Sequence, residues 1–103
     1  GPWSKADDGF VRGEHACVVE HATSRMHHFD GSAWRSSPSP VAGPRSLWGD
    51  AETLWIAGDA GAAAFDGEKF QAVKGAPQRI AQVLGRSPRD VWLCSSEGVF
   101  RWR

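Results

Sequence analysis

The sequence predicts an all-β chain made of repeated small antiparallel sheets, and three observations carry that prediction. Aromatic residues and glycines return at one spacing along the chain. Short runs of Trp, Val, Leu and Phe, which suit a pleated, half-buried surface, alternate with clusters of Gly, Pro, Asp and Ser. No stretch shows the 3.6-residue apolar period of an amphipathic helix.

The spacing is arithmetic. Trp55 to Trp92, Gly61 to Gly98 and Phe65 to Trp102 are each 37 residues. Phe29-Asp30-Gly31 precedes Phe65-Asp66-Gly67 by 36, and Trp34 to Phe70 and Val19 to Trp55 are also 36. Three copies follow, over 10–43, 44–80 and 81–103. The first is degenerate, with Arg25 where the later copies have Gly61 and Gly98, and the third stops after the residue that matches Phe65.

Residues 1–9 are polar apart from Trp3. Gly1-Pro2 reads as the scar of a removed tag, and Trp3 as the fourth strand of a blade whose other strands lie elsewhere, against a plainer reading as a frayed terminus with one exposed Trp. Phe10–Arg12, His15–His21 and Met26–Phe29 are the expected strands of the first copy, with a fourth starting at Trp34. Arg35–Pro44 (RSSPSPVAGP) reads as a loop, because Pro has no N–H to give a ladder. The second copy has Ser46–Trp48, a polar turn over 50–53, Leu54–Ala57, a third strand ending at Phe65-Asp66-Gly67, and a fourth from Phe70. Asp-Gly between apolar runs is a hairpin signal, since both positions tolerate positive φ. The third copy has Ala81–Leu84, Val91–Cys94 and a last strand reaching Trp102.

Four short strands per unit of about 40 residues is the pattern of a β-propeller blade. The segments LWIAGDAGAAAFDGEKF, DVWLCSSEGVFRW and HHFDGSAWRSSPSP resemble bacterial β-propeller repeats of the "DVWAVG…G…HFDG..W" type, which share their architecture with the WD40, kelch and Asp-box propellers. The resemblance runs from about Phe10 to the end. It implies a blade architecture and says almost nothing about a ligand.

Three blades leave two sheet faces and a strand edge uncovered. At about 25 cal/mol per Å², a few hundred Å² of bare apolar surface amounts to several kcal/mol. That compares with roughly 5–15 kcal/mol of stability for a whole domain. Closed propellers hold about 4 to 8 blades, so two chains of three complete a six-bladed ring. The expectation is a homodimer with Trp3, Phe10, Phe100 and Trp102 at the closure. The partner's Trp3 segment would supply the fourth strand of the third blade. A fragment of a longer propeller is the competing explanation.

Composition narrows the function. Twelve basic and twelve acidic residues give zero net charge. That disfavours nucleic acid, whose binding rests on phosphate neutralisation, and a polybasic membrane contact. No apolar run approaches 18 residues, so no membrane-inserted helix is expected. Cys17 and Cys94 occupy non-equivalent strand slots and read as buried free thiols, with a disulfide between the first and third copies as the minor reading. His15, His21, His27 and His28 do not converge as metal ligands do, because alternation sends His27 and His28 to opposite faces. No cofactor is expected.

Loops at one end of a propeller commonly carry its binding residues. Arg45 and Arg79, taken as matching positions before the inner strands, are therefore candidate ligand contacts, against a plainer reading as solvated loop ends. Asp59 and Glu97, in the loops between second and third strands, are the other candidates. Those loops share no residue type, so three identical sites are not expected. No Ser/His/Asp order, paired-carboxylate signature or Gly-rich phosphate loop is visible, and the sequence has no Tyr for a sialidase-like nucleophile. The expected function is a non-catalytic interaction or scaffold module. The alternative is a small lectin with sites between blades, for which six Trp could stack on sugar rings.

Overall fold

The computed structural model describes residues 8–49, 53–65, 68–87 and 89–102. Trp3 and the Asp66-Gly67 turn lie outside the described residues. Among those described, the chain is all-β, with eleven strands and no helix.

The strands form three antiparallel sheets, each a meander in chain order. Sheet one runs β1 (Asp8–Arg12), β2 (His15–Glu20), β3 (Arg25–Phe29), β4 (Trp34–Pro38). Sheet two runs β5 (Pro44–Gly49), β6 (Leu54–Gly58), β7 (Gly61–Phe65), β8 (Phe70–Ala72). Sheet three runs β9 (Ile80–Ser87), β10 (Asp90–Ser95), β11 (Gly98–Trp102).

The sheets stack face to face in sequence. β1 and β2 pack on β5, and β5 and β6 pack on β9. Sheet two is therefore buried on both sides, and its sequence shows it. Alternation sends Leu47, Ile56 and Ala63 to a cluster shared with Cys17, Val19 and Val41 of the preceding segment. The intervening Trp55, Ala57 and Ala62 enter a second cluster with Ile80, Val83, Val91 and Leu93. Two of the three alanines of β7 face a large neighbour across the strand pair, Ala64 opposite Trp55 and Ala63 opposite Ile56, and the third, Ala62, is opposite Ala57.

The two interfaces use the same devices. Asp8 of β1 accepts the Leu47 N–H at 2.8 Å, and Ser46 of β5 accepts the Val83 N–H at 3.1 Å. An aromatic ring of one inner strand lies on a glycine of the next. A Cβ on Gly49 would meet the Phe10 ring at 2.9 Å, and one on Gly85 would meet the Trp48 indole at 2.3 Å. Outer hairpins repeat as well. Phe29 packs at a tilt on Trp34 at 5.2 Å and Phe65 on Phe70 at 5.1 Å between ring centroids.

Two expectations need correction. Arg35–Pro44 is not all loop, since β4 continues to Pro38. β4 is an edge strand, where a missing N–H costs no ladder bond. The first copy is also registered differently from the 36-residue match of Val19 to Trp55. Phe10 opposes Cys17 as Trp48 opposes Trp55, so the inner pair is offset by 38 and Cys17 takes the place of Trp55. The loop between β2 and β3 holds four residues, 21–24, where the β6–β7 turn holds two, 59–60. Those two extra residues return the offset to 36 by Phe29 and Phe65.

The turn at Asp30 is self-contained. Its carboxylate accepts the N–H groups of Ser32 and Ala33 at 3.0 and 2.9 Å, and Gly31 takes φ 99°. These backbone donors hold the Asp30 carboxyl down at about 2.

Gly85→Ala should cost roughly 1–3 kcal/mol by forcing the Trp48 ring off β9. Urea denaturation of the variant against the parent chain measures it, and an unchanged midpoint would contradict the packing.

Candidate functional site

The hairpin loops and the connections between sheets meet at one end of the stack. Ser39 N–H reaches Ser24 O at 2.8 Å, Asp59 N–H reaches Gly43 O at 3.0 Å, and Ser96 N–H reaches Arg79 O at 3.2 Å. A groove of about 780 Å³ opens there between sheets two and three. Arg45 and Asp59 line it from sheet two, and Arg79, Ala81 and the Cys94–Ser96 segment line it from sheet three. Its size is that of a small-ligand or short-peptide site.

Three of the four expected ligand residues therefore come together. The fourth, Glu97, lies in the β10–β11 turn, where its carboxylate accepts the Gln78 N–H at 3.0 Å. Ser95 fixes the same turn, donating to Gln78 O at 2.6 Å and accepting the Glu97 N–H at 3.0 Å.

Arg45 and Arg79 are not matching positions. Arg45 sits at a bulge between Pro44 and Ser46, and the residue skipped by the β9–β10 ladder at the same place is Ala81. The match for Arg79 is Gly43. Gly43 has φ 62° and Arg79 φ 54°. Reading both arginines as "just before the strand" missed this, because β5 starts a residue before Arg45.

The pairing at these two positions has a steric cause. A Cβ on Gly43 would fall 2.5 Å from the Asp59 carboxylate. The residue equivalent to Asp59 is Ser96, 37 positions later, which has no carboxylate to meet a Cβ at Arg79. Arg79 still carries the strain of left-handed backbone, of order 1–3 kcal/mol for a non-glycine residue. Both its peptide groups are tied down, with its N–H on Asp59 O at 2.9 Å and its O on Ser96 N–H.

Asp59 is the polar hinge of the site. It accepts from Arg45 Nε at 2.8 Å and lies 2.7 Å from His21 Nε2. The Arg45 hydrogen bond first, and that of His21 second, hold its carboxyl below the ordinary carboxylate range. The side chains are about half exposed, so solvent screens the pair to under about 1 kcal/mol. A depressed carboxylate contributes stability above its unfolded pKa and loses it as pH falls through the folded value. Cys94, at the groove wall, and Cys17, buried between sheets one and two, are both free thiols. Burial pushes the Cys17 thiol up to about 11.

A second polar cluster was not visible in the sequence. Val18, His27 and Ser36 align across β2, β3 and β4, on the face of sheet one turned away from sheet two. His27 Nδ1 lies 2.6 Å from Ser36 Oγ, and Nε2 bonds to Glu20. Both His27 and Glu20 are buried. Residues distant in order meet only through strand register, so no local motif announces them. His28, on the opposite face as expected, stacks on His15. Among the described residues no cluster of three His, Cys, Asp or Glu is placed to hold a metal.

Of the residues expected at ring closure, Phe10 packs between sheets one and two and Trp102 against the cluster between sheets two and three. Phe100, opposite Leu93, is exposed. Comparison with family models, curated proteins and solved structures finds no match to the chain.

Arg45→Ala should raise the Asp59 midpoint toward the ordinary carboxylate range in a carboxyl-carbon NMR titration. An unmoved midpoint would show that Arg45 does not hold that charge.

Proposed function

We propose that the chain is a non-catalytic β-propeller recognition module, and that two copies close into a six-bladed ring. The observation that carries this reading is the face of sheet three that no other sheet of the described residues covers. It repeats, position for position, the face with which sheet two covers sheet three. Gln82, Leu84, Trp92, Cys94 and Val99 stand where Ser46, Trp48, Trp55, Ala57 and Ala62 stand one repeat earlier. Four of those five earlier residues belong to or pack on the apolar cluster, and the fifth, Ser46, makes the inter-sheet hydrogen bond.

Size matching favours sheet one of a second copy as the occupant. Within the chain a large ring meets a glycine, as Phe10 on Gly49 and Trp48 on Gly85. At the free ends the residues in these two roles are Leu84, 45% exposed, and Val11, 72% exposed. The ring has become smaller and the glycine larger, so the pair fills a comparable volume. Gln82 is placed to accept an N–H as Asp8 and Ser46 do.

In such a ring the Ser36–His27–Glu20 line is covered by the partner, which suits a structural link and not a reaction centre. The groove at the loop end stays open and is the surface left for recognition. The sugar-binding alternative lacks its stacking platform there. Among the described residues no tryptophan lines the groove, since Trp48 and Trp55 are committed between sheets and Trp92 carries Arg101 at 5.0 Å.

Light scattering at micromolar concentration should give the mass of two chains. Val11→Gly should shift the chain toward monomer, and Leu84→Trp in the same chain should restore the dimer by recreating the internal pairing. A monomeric parent chain, or a dimer indifferent to both changes, would overturn the proposal.

A further inference from the structure

The groove between sheets two and three has a charge imbalance. Its carboxylate, Asp59, is already shared by Arg45 and His21. The neighbouring carboxylate of Glu97 is occupied by backbone N–H. Arg79 has no ion pair among the described residues, is exposed, and lines the groove. Its backbone is held in a conformation that suits glycine, where the preceding repeat has glycine. A strained arginine kept where glycine fits better is a sign that the side chain is used.

We propose that the groove binds the carboxylate of an acidic peptide segment, with Arg79 as its anion-binding residue and the exposed Ser96 hydroxyl beside it. One unpaired guanidinium matches one planar monoanion, which it can grip with two parallel N–H bonds. The small apolar walls at Ala81 and Cys94 accept a chain's methylenes and offer no ring for a sugar. Arg45, Asp59 and Arg79, which set its charge, belong to one chain, so the anion grip is read apart from ring closure even though Cys94 stands on the face a second copy would cover.

The test titrates an acetylated, amidated tetraglutamate into the full chain while NMR follows the Arg79 Nε–H and Ser96 N–H. Its tetraglutamine counterpart, inorganic phosphate and a glucuronate disaccharide serve as comparisons. Saturable shifts with tetraglutamate, and none with tetraglutamine, are expected. Arg79→Gly should weaken tetraglutamate binding by about tenfold or more, from the loss of charge-assisted bonds. Its melting temperature should hold or rise, because glycine relieves the backbone. That pairing of results separates a binding role from a structural one. Undiminished binding in Arg79→Gly, preference for phosphate or the glucuronate, or no saturable response to tetraglutamate would overturn the proposal. The oligomeric mass is read separately, so failure here leaves the ring proposal standing, and the reverse.

Discussion

The structure depends on a sheet that is covered on both faces. Every other feature follows from how close its neighbours come. The inner strands approach until an aromatic ring rests on a bare backbone, Phe10 over Gly49 and Trp48 over Gly85. At that distance a side-chain acceptor on one strand reaches the N–H of the next. Close approach near the inner strands also brings the loop ends together, which shapes the groove. Covering both faces demands small residues somewhere, and β7 supplies them with three consecutive alanines.

Much of this was legible in the sequence because it recurs. The Phe29/Phe65 and Trp55/Trp92 spacings mark real structural equivalences in the outer hairpin and in the second strand. What hid the first repeat's register was loop length. Two extra residues after Glu20 let Val19 masquerade as the match for Trp55, because the shift is even and preserves which face each residue takes. An odd shift would have exposed the mismatch by turning polar residues inward.

The site was legible in part. Arg45, Arg79 and Asp59 do converge, though by a different correspondence from the one their positions suggested. Arg79 pairs with Gly43 because backbone conformation, not residue type, is what the repeat conserves from one copy to the next at that turn. The signal that could have found it is the exchange of Gly43 with Asp59 for Arg79 with Ser96. The Glu20–His27–Ser36 line was not legible at all, since it is written across three strands and each residue alone looks ordinary. The proposed ring and the proposed anion site draw on different consequences of the stack. One concerns the faces at its two ends, and the other the loops along its rim.

The most direct test of the stacking is the proton chemical shift of the Gly85 Hα pair. With the Trp48 indole lying against that Cα, ring current should move these protons well upfield of ordinary glycine, and Trp48→Leu should return them. Gly85 Hα resonances at ordinary glycine positions in the parent chain would mean that sheets two and three do not meet as described.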